Sequence, residues 1–391
     1  MLGCLYEQKY GGGKNNSESE GKERDLYATA LEFRLRQHGF TVYQEIFDCF
    51  RNEKGDLDPN LGHDTKGLLQ LYEASFLSTP GEKTLDLARE FATNFLQENP
   101  NEKIDESLSI LVGHALELPI HWRVQRPNTR WFIEAYERRP DANPLVLELA
   151  KLEFNIVQPT YQQELKHVYE WWKQTGIAEN LPFARDRMVE CYFWTTGVFS
   201  HPQYSYPRIM VTKLNALVTV IDDMFDVYAT HQELQLFYNA IQSGQIYTEH
   251  IYKRQNANPI EKEVVPSLYK YHDLVRYSSI ILRLANDLET SPDEVKRGDV
   301  PKSIQCYMNE SGGTGEEAIE YIRFLISETW KNMNQEAFVA EDSPLFPQDF
   351  VRIAADLGRM SQYMYHHGDG HGIQNCDIKT RISTLLFHPI L

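Results

Sequence analysis

The chain has 391 residues, of which 42% are hydrophobic and 12% aromatic, so two cored domains are the natural expectation. Its 56 acidic against 39 basic residues give a formal charge of −17, which argues against a nucleic-acid partner and an anionic membrane surface. No run reaches the roughly 18 apolar residues of a membrane span, and the scattered cysteines (Cys4, Cys49, Cys191, Cys306, Cys376) lack metal spacing and read as thiols of a reducing compartment.

Residues 1–24 have no apolar signal core, and Glu7, Glu18, Glu20 and Glu23 do not suit an organellar leader, so they read as a solvated lead-in. From Asp25 onward apolar residues recur three or four apart. DLYATALEFRLRQHG, TVYQEIFDCFRN, TKGLLQLYEASFL, KTLDLAREFATNFLQ and ESLSILVGHALEL are each predicted helices, separated by Gly, Pro or Asn. Longer helical patterns begin after ERRPDANP. The expected fold is all-α in two helical domains, residues 25–138 and 139–391.

In the second domain RIMVTKLNALVTVIDDMFDV (208–227) is apolar on nearly every side, as a core helix is, yet holds Asp222, Asp223 and Asp226 near its end. Asp222 and Asp226 share a helix face, with Asp223 about 100° away. Such carboxylates are hard oxygen ligands suited to Mg²⁺. Taken alone, they read equally well as a solvated helix end. Downstream, Asn286, Thr290 and Glu294 are spaced by four and four and form a second oxygen-donor stripe with Arg283 on it. Pro292 is expected to bend or interrupt that helix, and a plain polar face is the alternative reading. Arg185 and Arg187, in LPFARDR, stand at the start of a further predicted helix. With Arg283 and Lys302 they offer a cationic set that matches phosphate oxygens. Metal ions and arginines together would make a local positive pocket for a diphosphate in an acidic chain.

The segments LPIHWRVQRPNTRWFIEAYERR, NPLVLELAKLEFN, LPFARDRMVECYFWTTG, VIDDMFDVYAT, RLANDLETSPDEVKRGDVPKS and MYHHGDGHG closely resemble plant class I terpene synthases, the monoterpene-forming branch above all. The resemblance runs from about Asp25 to the C-terminus. It implies that Asp222, Asp223 and Asp226, with Asn286, Thr290 and Glu294, hold three Mg²⁺ or Mn²⁺ ions. It further implies that those ions, with Arg185, Arg187 and Arg283, grip geranyl diphosphate. By the same resemblance Trp194, Tyr365 and His371 line the cavity with Asp369 beside them, and Tyr365 and His371 join the aspartates as catalytic candidates. A small-molecule prenyl diphosphate partner, a monomer and a plastid location are implied as well. As written, without a visible import signal, the chain would stay in the cytoplasm.

Two departures from the family pattern stand out. The tandem-arginine opening and the first part of the N-terminal domain are absent. Only 64 residues separate Asp222 from Asn286, where the family carries roughly 80 more, room for several helices of about 12 residues. An internal deletion near 244–259 is therefore expected, which opens the pocket to water. The competing readings are a catalytically inactive relative or splice form, and a chain-elongating prenyl transferase. The latter is disfavoured because NDLETSPDE stands where a second aspartate-rich motif would be.

Overall fold

The computed structural model describes residues 24–38, 40–98, 105–183, 185–225, 229–242, 273–297, 302–341, 348–366 and 376–391, with side chains for all but 37–38, 240–242, 291–297, 339–341 and 376–377. Nearly all of the expected lead-in, residues 1–24, and the expected deletion point at 244–259 lie outside the described residues. The fold is all-α. Among the described residues no strand forms, and the strand-like positions are isolated bridges, Arg51 with Leu57 in antiparallel sense and a further one at His366.

In the first half, α1 (Leu26–Phe33) starts where the Asp25 carboxylate accepts the Tyr27 and Ala28 N–H groups at 3.3 and 3.2 Å. TVYQEIFDCFRN forms a 3₁₀ helix, Gln44–Phe50, rather than an α-helix. Phe47 and Phe50 are three apart, so a three-residue turn buries both. Helices α2 (Thr65–Ser75), α3 (Lys83–Glu98) and α4 (Glu106–Glu117) complete this half. Its core is Leu26, Phe33, Phe47, Leu71 and Leu85, with a satellite around Leu69, Tyr72, Phe76 and Val112.

The second half contains α5 (Gln125–Glu137), α6 (Pro144–Thr175), α7 (Met188–Val198), α8 (Ser205–Asp223), α9 (His231–Gln242) and α10 (Asp273–Arg297). It closes with α11 (Ser303–Ser311), α12 (Gly315–Glu341), α13 (Gln348–Tyr365) and α14 (Cys376–Leu386). The 32-residue α6 has Asn143 as its cap and Pro144 at its first position, and ends at Gly176 with φ of 65°. Helix α8 packs on α6 and α7, α7 on α13, and α13 on α10, which also meets α11 and α12. The two helices bearing the oxygen-donor motifs, α8 and α10, thus flank a central α7–α13 pair. That pair approaches closely because residue 197 is glycine: a Cβ there would lie 2.2 Å from the Met360 sulfur.

Two sequence expectations fail here. Helix α8 is not buried all round: Tyr206, Leu214 and Val218 are more than half exposed. An apolar pattern records what a helix offers for burial, not what covers it. Second, of the expected bend or interruption at Pro292, the interruption does not occur: α10 runs on to Arg297. One internal proline costs about 3 kcal/mol, and α10 packs along both α12 and α13.

The halves meet along a seam of polar contacts around stacked tryptophans. Asn334 donates to the carbonyls of Phe76 and Ser78 at 3.0 and 2.9 Å, Lys331 pairs with Asp86 at 2.7 Å, and Trp122 lies over Trp330 at 5.8 Å. Beneath the seam the buried Glu73 accepts the Ile120 N–H at 2.7 Å, with Arg123 at 3.9 Å. Burial pushes its carboxyl up to about 7, and Arg123 and the Ile120 N–H only partly oppose this. A carboxyl raised on folding costs stability as pH climbs from about 4.5 to about 7, and the loss stays above that range. Glu73→Gln should therefore be more stable than the parent at pH 8, by roughly 3 kcal/mol. Thermal melts should show that advantage shrinking toward pH 5.

Candidate active site

Two elements meet at the first acidic motif, the turn that enters α7 and the end of α8. Helix α7 begins at Met188, so Arg185 and Arg187 both lie in the turn that enters it rather than on its first face. Arg185 reaches the end of α8, where its backbone N–H and Nε donate to Asp223 Oδ2 at 3.4 and 3.0 Å. A terminal guanidinium nitrogen meets Asp223 Oδ1. Asp223 is 5% exposed, so this carboxylate is turned inward and, among the described residues, is neutralised by Arg185. Asp222 points the other way and is exposed. Beyond Asp223 the helix widens into a π-turn at 224–225, a distortion common at functional sites. Asp226 lies outside the described residues.

Arg187 pairs with Glu190 at 3.4 Å, yet its Nε is buried without a hydrogen-bond partner. An unsatisfied guanidinium donor costs free energy in the apo chain and suits an anionic ligand.

On α10, Asn286 and Thr290 are half-buried. Thr290 Oγ1 donates to the Asn286 carbonyl at 3.0 Å, which leaves the hydroxyl lone pairs to accept. The side chain of Glu294 lies outside the description. Arg283, half exposed, sits with Nε 2.8 Å from Asp287 Oδ1, as an ion pair rather than an aimed hydrogen bond. Asp287, 2% exposed, accepts from the Ser303 backbone N–H at 3.1 Å and from its hydroxyl. Asp287 therefore pins the start of α11 to α10 and holds Arg283 beside Asn286. Sequence reasoning passed over it. Its only signal was a carboxylate directly after Asn286 and a hydroxyl residue, Ser303, sixteen residues on at the first position of the next helix. Lys302 is the residue before α11, its N–H bonded to Gln305 Oε1 at 2.9 Å.

Between the two motif helices, the Trp194 ring on α7 meets Tyr365 at the end of α13 edge-on, with centroids 6.2 Å apart. Asp369 and His371 lie outside the described residues. A cavity of about 660 Å³ opens elsewhere, at the seam, lined by His121, Arg123, Trp330 and Arg352 among others. None of the motif residues lines it.

The described donors, the Asp222 carboxylate, the Asn286 amide and the Thr290 hydroxyl, are hard oxygen ligands that fit Mg²⁺. No group of three or more His, Cys, Asp or Glu side chains able to hold a metal occurs among the described residues. Nor is any helix among them long and apolar enough to cross a membrane.

Comparison with known proteins places this geometry in a family. Residues 4–116 match the terpene synthase N-terminal domain, and residues 173–256 and 243–332 match the terpene synthase family metal binding domain. The chain is 46% identical to cineole synthase 1, chloroplastic, of Salvia fruticosa, over 96% of this chain and 77% of that one. It is 42% identical to myrcene synthase, chloroplastic, of Quercus ilex, over 471 aligned positions, 100% of this chain and 77% of that one. Among solved structures, limonene synthase with 2-fluorolinalyl diphosphate superposes with a TM-score of 0.89 at 44% identity, covering 100% of this chain and 86% of that chain. Isoprene synthase from grey poplar leaves, in complex with three Mg²⁺ ions and dimethylallyl-S-thiolodiphosphate, gives 0.86 at 37% identity, over 94% and 85%. The chain belongs to the terpene synthase family. Its cofactor is a divalent cation.

Removing Arg185 should leave Asp223 buried and unpaired. Arg185→Ala is expected to cost about 2–4 kcal/mol, below the value for a fully buried pair because Arg185 is partly solvated. Adding Asp223→Asn should restore most of that loss, a coupling that a double-mutant cycle in urea measures.

Proposed function

We propose that the chain ionises geranyl diphosphate with loss of diphosphate to form a monoterpene. The observation that carries the reading is the arrangement around α7 and α13. Arg187, with its unpartnered buried Nε, and outward-facing Asp222 lie on one side, and the Asn286–Thr290 stripe lies on the other. The monoterpene synthase names of the relatives support it.

In this reading Asp222, Asp223 and Asp226 hold the cation together with Asn286, Thr290 and Glu294. Mg²⁺ or Mn²⁺, three ions in all, would neutralise charge on the departing diphosphate. Arg185, Arg187, Arg283 and Lys302 bind the diphosphate oxygens. Asp287 positions Arg283 for that task. Trp194 and Tyr365 present aromatic faces to the allylic cation, with His371 and Asp369 near them. Asp223 has a second duty, fixing Arg185, so its loss should unsettle both binding and fold.

The domain reading is a lead-in at 1–24, a partial N-terminal domain at 25–138 and a metal-binding domain at 139–391 with a deletion near 244–259. Two facts support the deletion. The alignment with the Quercus ilex relative has 471 positions against 391 residues here, so 80 of them have no counterpart in this chain. The metal-binding match also comes in two pieces that meet at 243–256. The protein acts as a monomer, and the chloroplastic designation of its relatives supports a plastid location.

Purified full chain incubated with geranyl diphosphate and Mg²⁺ should release diphosphate and a volatile product. Asp222→Ala should lower the rate by about a hundredfold or more, the usual scale for losing electrostatic stabilisation of a leaving group, and chelation should abolish turnover. Release no faster than in Asp222→Ala would favour the inactive relative.

A further inference from the structure

The cavity at the seam holds about 660 Å³ and lies between the two halves, the size and the place that small-molecule sites favour. Two helices form much of its lining: Trp330, Met333 and Ala337 from α12, with Arg352, Asp356 and Arg359 from α13. Trp330 Nε1 donates to Gln362 Oε1 at 2.7 Å, and only residues 342–347 join α12 to α13, so the two run antiparallel. From Trp330 to Ala337, and from Arg352 to Arg359, is two helical turns, which makes a trough about 10 Å long.

The two ends of the trough differ in charge. At one end a single terminal nitrogen of Arg352 donates to the Tyr204 hydroxyl at 2.7 Å and to Asp349 at 3.0 Å. Its Nε and other terminal nitrogen have no partner among the described residues, and Asp349 is 60% exposed, so water screens it. At the other end Arg359 is neutralised by Asp356 at 2.7 Å, and its Nε donates to the His121 carbonyl at 2.7 Å. His121, also on the lining, is a neutral acceptor there. Both amide hydrogens of Asn334 go to the Phe76 and Ser78 carbonyls, so the Asn334 oxygen accepts from His121 Nε2 at 2.9 Å. His121 Nδ1 then carries a lone pair and has no partner among the described residues. Burial, with Arg359 close by, drives the ring down to about 3, so it stays uncharged.

We propose that this trough binds a phenolic carboxylic acid. The carboxylate meets the free edge of Arg352, the ring lies along Trp330 and Met333, and the phenol hydroxyl donates to His121 Nδ1. The cation at one end selects an anion, the lone pair at the other selects a neutral donor, and the trough length fixes their separation. No motif residue lines the trough, so this inference stands or falls apart from the proposed ionisation.

The test is equilibrium dialysis of the full chain against 4-hydroxycinnamate. One site per chain is expected, with a dissociation constant of about 100 µM, the scale for a ligand of this size. Cinnamate, which lacks the hydroxyl, should bind about fivefold more weakly, and the alcohol in place of the carboxylate about tenfold or more. Arg352→Gln should weaken binding by about tenfold or more, and Ala355→Phe, which fills the trough, should abolish it. Mg²⁺ with inorganic diphosphate should leave binding unchanged. No saturable uptake at roughly 5 mM overturns the inference, and so does equal affinity for all three probes. Displacement by diphosphate, or undiminished binding in Ala355→Phe, places the ligand elsewhere and overturns it too. If circular dichroism shows Ala355→Phe unfolded, Arg352→Gln decides alone, because that side chain is 32% exposed and outside the core.

Discussion

The metal-motif half depends on one buried ion pair. Arg208, fully buried at the first turn of α8, donates through Nε and a terminal nitrogen to both oxygens of Glu164 on α6, each at 2.8 Å. Tyr192 on α7 donates to the same carboxylate at 2.8 Å, and Arg208 also donates to the His201 carbonyl at 2.7 Å. Burial alone would push the Glu164 carboxyl up, but hydrogen bonds from Arg208, Ser205 and Tyr192 outweigh it and hold the group below the usual carboxylate range. Breaking such a pair strands a charge in the interior at a cost of about 3–5 kcal/mol. Three helices are thereby fixed at one point. The far end of α8 delivers Asp222 and Asp223 because its near end cannot rotate.

Around that anchor, polar contacts set the site in two tiers. Arg185 and Asp223 tie the entry of α7 to the end of α8, and Asp287 ties α10 to α11. In both, a buried carboxylate orients a cation whose head is partly solvated. In the proposed reading, diphosphate capture and the integrity of the helix ends therefore share residues. An aspartate in the first motif is both a ligand candidate and a structural counter-charge.

Much of this was legible in the chain. Apolar spacing of three and four gives the helical class and the approximate place of most helices, though the TVYQEIFDCFRN segment becomes a 3₁₀ turn and the 208–227 run a helix over Ser205–Asp223. The spacing of Asp222, Asn286 and Thr290 gives the donor stripes. Pairings made by tertiary approach were not legible. Nothing local joins Arg185 to Asp223, 38 residues apart, or Glu164 to Arg208, 44 apart. The exposure of Leu214 and Val218 was hidden for a different reason. Hydrophobic pattern states a demand for cover, and only the arrangement of neighbouring helices reveals whether it is met.

Gly197 stands where the central helices cross. Met360 is fully buried, and a methyl group at 197 would force its sulfur to shift where α7 meets α13. Those two helices are the spacer between α8 and α10. The close approach of the spacer between the two donor stripes thus depends in part on the absence of a single carbon atom, well away from any charged group.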